Sequence, residues 1–219
     1  MQLTILMKLR SNKILRPLEC FKRNVSTVSR VKKLIERKKQ RLNLEYLAKQ
    51  NVVEWLFGDP KFVNSLTKEK EDRWGRELIG YNTNQWTTKL GESVLKEILL
   101  LSGDEPERIK TPLKGMNAKK LLPDFETKDA LYENKARTYQ TTGTAGEKIL
   151  GTPLKYCECY NLYKKPLNII CMAYQEKEAD ESFHLFKPKS TELKKLLEFY
   201  EKEFKIKYVK ATDMLKKLI

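Results

Sequence analysis

Histidine is almost missing from this chain: His184 is the only one in 219 residues. Cysteine is scarce as well, and Cys20, Cys157, Cys159 and Cys171 contain no C-x-x-C pair. A structural zinc site draws four Cys or His ligands, and small disulfide scaffolds carry far denser cysteine. Neither is expected here; reduced thiols in an intracellular compartment are. Nor is there an apolar run of roughly 18 residues, so no membrane-spanning helix is expected. Internal repeats and low-complexity linkers are also lacking.

What the chain has in excess is positive charge, a formal +15. Fourteen Lys and Arg stand against Glu19, Glu36 and Glu45 in the first fifty residues, which hold +11 of that excess. Such an imbalance points to a polyanionic partner, with a basic arm adding phosphate contacts to a separate working site. The predicted organisation is a basic, mainly helical module over residues 1–60 and a nearly charge-balanced domain over 61–219. Residues 1–30, with a single acid, have a composition shared by DNA-contacting arms and mitochondrial transit peptides; the arm is the preferred reading. A hydrophobic fraction of 40% with 33% charged residues describes a folded, water-soluble body.

Periodicity predicts a helix over residues 31–47 and a continuation over 51–57, ended by Gly58-Asp59-Pro60. Residues 61–81 read as polar and irregular. Residues 86–101 carry the clearest helix, with Leu90, Val94, Leu95, Ile98, Leu99 and Leu101 on one face and Ser102-Gly103 as its end. Three strands are predicted over 107–114, 121–126 and 130–137, forming a meander. A loop and cap at 141–144 precede helical segments broken near Gly151-Thr152-Pro153. The apolar run LNIICMAY at 167–174 reads as a strand buried on both faces. An edge strand at 183–186, with His184 on it, and a terminal helix at 190–204 capped by Ser190 complete the pattern. The fold class expected is α/β, with a central mixed sheet flanked by helices.

The chemistry concentrates in Leu122-Pro123-Asp124 and Tyr132-Glu133-Asn134-Lys135. A tight turn between Lys128 and Asp129 would pair Asp124 directly with Glu133 across a hairpin, their Cβ atoms about 4.5 to 5.5 Å apart. Glu133 and Lys135, two apart on one strand, would share that face. Two carboxylates with room for a divalent ion and an ammonium beside them suit phosphodiester hydrolysis. Glu-x-Lys alone is uninformative, since it recurs at Glu36, Glu192 and Glu203 on solvated helices.

Pro123-Asp124 followed by Glu133-Asn134-Lys135 resembles the signature of the PD-(D/E)xK, or restriction-endonuclease-like, superfamily. The αβββαβ order over residues 86–174 is similar to that superfamily's core. The stretch ENKARTYQTTGTAGEKILGTPLKY at 133–156 resembles restriction-type endonucleases, including those of large DNA viruses. The resemblance implies Mg²⁺, with Mn²⁺ able to substitute, held by Asp124 and Glu133, and Lys135 assisting the attacking water. It also implies 5′-phosphate products and offers Glu92, on the preceding helix, as a third carboxylate. No organic cofactor is implied.

Arg137, Thr138, Gln140, Thr141, Thr142, Thr144 and Lys148 follow the catalytic strand and are candidate donors to phosphates or base edges. Lys155 and Tyr156 stay outside the site, as an exposed cation and a half-buried ring. Trp55, Trp74 and Trp86 read as packing residues. The function expected is double-stranded DNA cleavage by a type II restriction-type enzyme, as a homodimer if the cut site is palindromic. Two alternatives stay open: a junction resolvase or repair exonuclease with the same site, and a basic nucleic-acid-binding protein without catalysis.

Overall fold

The structure is a computed structural model that describes residues 16–80, 85–115, 120–140 and 144–219, with 16–26, 144 and 145 described by backbone alone. The chain begins there with a long helix, α1 (Arg16–Leu42), followed by α2 (Val52–Phe57), α3 (Pro60–Val63) and α4 (Lys68–Ile79). Helix α1 ends five residues earlier than the sequence pattern predicts, and Leu44 and Leu47 are buried from the turn that follows. Gly58 closes α2 with φ 62°, and Pro60 opens α3 at once.

The segment expected to be irregular is helical. Thr67 caps α4 by accepting the Lys70 N–H, and Glu69 and Glu71 sit in the first turn, where the helix dipole favours acids. Few apolar residues mark this helix because its inner face mixes a buried acid, Glu71, and a buried glycine, Gly75, with the partly buried Trp74, Leu78 and Ile79. Glu71, 1% exposed, accepts hydrogen bonds from Trp55 Nε1 at 3.0 Å and from the Tyr139 and Gln140 N–H groups at 2.9 and 3.0 Å. Trp55, Trp74 and Trp86 lie with ring centroids 5.8–6.0 Å apart, so the three indoles are packing residues.

Helix α5 (Trp86–Ser102) matches its periodicity, with all six residues of the apolar face buried and Gly103 ending it at φ 89°. It also buries Glu97, which accepts the N–H groups of Glu45, Tyr46 and Leu47 at 2.6–2.8 Å. The turn after α1 is thereby fastened to the central helix.

The expected meander is present in shorter pieces. Strands β1 (Glu107–Arg108), β4 (Phe125–Glu126) and β5 (Leu131–Arg137) pair antiparallel in that order. Between β1 and β4 the chain diverts into a separate hairpin of β2 (Leu113–Lys114) and β3 (Lys120–Leu121). A 3-10 turn (Thr144–Ile149), α6 (Thr152–Lys155) and α7 (Cys159–Tyr163) lead into β6 (Leu167–Ala173), parallel to β5. Then come α8 (Tyr174–Glu181), α9 (Thr191–Phe199), a π turn (Tyr200–Phe204), β7 (Ile206–Lys210) and α10 (Ala211–Lys216). The large sheet runs β1-β4-β5-β6-β7, antiparallel at one end and parallel at the other. The protein is thus α/β with a five-stranded mixed sheet flanked by helices.

Residues 183–186 are not a strand. His184 has φ 52°, a left-handed turn that no ladder accommodates, and its Nδ1 lies 3.1 Å from the Asp180 carbonyl. The sheet edge is instead β7, and the helix over 190–204 is followed by it and by α10 rather than being terminal. Ser190 does cap α9, accepting the Leu193 N–H, although Leu196 stays exposed.

Two apolar cores lie on opposite faces of the sheet. One joins α1, α2, α5 and α10 to Ile170 and Met172; the other joins the 3-10 turn, Tyr156 at the end of α6, and α7–α9 to Leu131, Ile169 and Cys171. Alternation along β5 therefore sends Tyr132 and Ala136 toward α5, and Leu131 and Glu133 toward α6. No helix among the described residues is long and apolar enough to cross a membrane.

Candidate active site

Phe125 pairs with Tyr132 and Glu126 with Leu131, the register the turn at 128 and 129 predicts. Continuing it sets Asp124 opposite Glu133. The Thr127 N–H donates to the Ala130 carbonyl, so alternation along the ladder makes 124 and 133 a non-hydrogen-bonded pair, whose side chains approach most closely. Pro123 has no N–H to continue the ladder, and Asp124 Oδ2 takes the Asn134 N–H at 2.7 Å. Burial and the neighbouring Glu133 charge push the Asp124 carboxyl up to about 7.

Glu133 is buried and fully engaged. Lys135 Nζ, from the same face of β5, donates to Oε1 at 2.5 Å, and the Tyr156 hydroxyl donates to Oε2 at 2.8 Å. Lys155 Nζ stands 3.9 Å from the same Oε1. Tyr156 is the residue that the sequence pattern leaves outside the site. It sits at the C-terminal end of α6, 23 positions from Glu133, and no local pattern ties a tyrosine there to a carboxylate on another element.

Helix α5 approaches β5 at Gly91, where an added Cβ would stand 2.3 Å from Asn134 Nδ2 and 2.9 Å from Ala136 Cβ. The next residue, Glu92, is close enough for its charge to act on Asp124, but its carboxylate is ion-paired with Arg108 of β1. Of the three candidate carboxylates the structure brings Asp124 and Glu133 together, and Glu92 remains with Arg108. Among the described residues no three Asp, Glu, His or Cys side chains form a metal-holding cluster.

The DNA-contact candidates divide. Arg137 turns inward, 7% exposed, into an ion pair with Glu178 at 2.5 Å, with its guanidinium 5.2 Å from the Tyr174 ring centroid. The 3-10 turn passes tightly over this pair: a Cβ at Gly146 would lie 1.7 Å from Glu178 Oε2. Thr138 is buried, and the Gln140 backbone is held by Glu71. Thr141 and Thr142 lie outside the described residues; Thr144 opens the 3-10 turn, and Lys148 is exposed on it. Strand position alone does not reveal that Arg137 faces a helix, because the polar sequence of α8 gives that helix no apolar stripe. Cys159 and Cys171 are buried free thiols, and Cys157 is half-buried.

Comparison of the chain with protein-family models, with curated proteins and with solved structures finds no match.

Proposed function

We propose that this protein is a metal-dependent DNA endonuclease of PD-(D/E)xK type, with Asp124, Glu133 and Lys135 as its working residues. The observation that carries the proposal is the register of β4 and β5, which sets Asp124, just before β4, opposite Glu133 of β5, with Lys135 bonded to Glu133 on the same face. A helix before the antiparallel strands and a parallel strand after them are compatible with a restriction-endonuclease-like core.

The donor set suits a hard divalent ion. Two carboxylates are what Mg²⁺ commonly takes from a protein, with waters and substrate phosphate as its remaining ligands. Asp124, raised to about 7 by burial and by Glu133, resists ionising beside that charge, and a cation held between the two would favour the ionised pair. Asp124 and Glu133 would hold the ion, and when bound it would neutralise phosphate charge and acidify a water. Lys135 supplies an ammonium that, once released from Glu133, can hold that water by donating from Nζ and keep a proton beside the reacting phosphate. The basic N-terminal region would add sequence-independent phosphate contacts. Duplex DNA is the proposed substrate, cut by a restriction-type homodimer where the site is two-fold symmetric.

The test is incubation of purified protein with plasmid and with four-way-junction DNA, in Mg²⁺, Mn²⁺ or EDTA. Cleavage should need the metal, and Lys135→Ala should abolish turnover while retaining DNA binding. Discrete plasmid fragments support the restriction-type reading, and cleavage confined to junctions reassigns the same site to resolution. Metal-dependent cleavage left unchanged by Asp124→Asn together with Glu133→Gln removes the proposal.

A further inference from the structure

Each of the two facing carboxylates has one oxygen already taken by the protein. Asp124 Oδ2 accepts the Asn134 N–H at 2.7 Å, and Glu133 Oε2 accepts the Tyr156 hydroxyl at 2.8 Å. What approaches Glu133 Oε1 is different in kind: the ammonium groups of Lys135 and Lys155, on flexible stems that are 27% and 56% exposed. A backbone N–H and a buried phenol are fixed, whereas two lysines can withdraw.

Tyr156 is 1% exposed, and its hydroxyl has a single proton to give. Lys155 Nζ, 4.3 Å from the ring centroid, donates to the phenol oxygen at 2.8 Å and so fills its acceptor side. Of the acceptors in reach, Glu133 Oε2 at 2.8 Å is nearer and charged, while the Leu122 carbonyl is at 3.2 Å. The phenol proton therefore goes to Glu133.

We infer that Tyr156 is a positioning residue: by occupying Oε2 it commits Glu133 to grip a cation through Oε1 alone, which favours Mg²⁺ over Ca²⁺. Mg²⁺ demands a compact octahedron and takes carboxylates through single oxygens, whereas Ca²⁺ accepts more ligands and two-oxygen grips. With Tyr156 in place, each carboxylate has one oxygen held by a fixed hydrogen-bond donor, which opposes a two-oxygen grip. The inference rests on the reading of Asp124 and Glu133 as the metal-holding pair.

The test is calorimetric titration of the full chain with Mg²⁺ and, separately, with Ca²⁺, in wild type and Tyr156→Phe, with thermal unfolding as the fold control. The phenylalanine keeps the ring and frees Oε2. Mg²⁺ affinity should fall by about tenfold or more, the usual effect of losing a partner that orients a ligand, while Ca²⁺ affinity holds or rises. Equal changes for both ions, or none, in a folded variant overturn the inference and leave the nuclease reading standing. A wild-type chain that binds neither ion overturns both. If Tyr156→Phe does not fold, Tyr156→Met, a flexible apolar side chain that likewise lacks the hydroxyl, carries the test: the Mg²⁺ to Ca²⁺ ratio should move the same way, and an unmoved ratio overturns the inference.

Discussion

Buried carboxylates in this protein have two different fates. Glu71 and Glu97 each accept three N–H hydrogen bonds that return what desolvation takes away. Asp124 accepts one from the backbone and faces another acid, and burial keeps its carboxyl near 7. Glu176, bonded to the Thr212 N–H and hydroxyl, is likewise pushed up to about 7 by burial. A folded-state value above the unfolded one means that the native chain binds more protons between about pH 4 and 7. Stability from these groups therefore falls as pH rises through that window and levels off above it. Asp124→Asn removes the Asp124 share alone. The variant should melt higher than wild type at pH 8, and the two should converge near pH 4, as followed by thermal unfolding; a constant difference across that range would refute the assignment. Arg137 is buried in an ion pair with the partly buried Glu178, which explains why its guanidinium does not reach the exposed surface.

At the scale of elements, the site depends on how closely α5 rides on β5. Gly91 has no side chain to separate them, and Asn134 and Ala136 fill the space its Cβ would need. Glycine inside a helix ordinarily costs roughly 1 kcal/mol relative to alanine, so Gly→Ala should be a gain by propensity. Here overpacking outweighs it: Gly91→Ala should lose about 1–3 kcal/mol in urea unfolding. A stabilised variant would show that α5 yields without cost. The other end of β5 is held from α4, where Glu71 fastens the two backbone N–H groups that follow Thr138. The N-terminal helices thereby set where the chain leaves β5.

Taken whole, the molecule joins a strongly basic N-terminal stretch to a body of almost balanced charge. Along α1, Lys33, Arg37 and Arg41 are exposed while Val31, Leu34 and Ile35 face the core. On the nuclease reading, these cations neutralise phosphates without reading sequence. Replacing all three by alanine should weaken DNA binding uniformly across sequences and flatten the plot of log affinity against log salt by about one unit of slope for each phosphate no longer neutralised. Turnover at saturating DNA should not change. Filter binding against salt concentration checks this, and an unchanged slope removes α1 from the interface.

Short-range order is readable along the chain because its cause is local. The spacing of leucines on α5, the turn at Lys128-Asp129 and the apolar run of β6 each follow from the repeat of one element, and they place Asp124 opposite Glu133 with Lys135 two residues on. Helix α4 and strand β7 escape such a reading because one shows few apolar residues and the other is only five residues long. Tyr156 beneath Glu133, Glu178 against Arg137, Arg108 on Glu92 and Glu71 under Tyr139 all join different elements, across 16 to 68 positions. Which side chains meet over such distances depends on how helices pack on each sheet face, and only the assembled core settles that, since burial and charge compensation are properties of the packed whole.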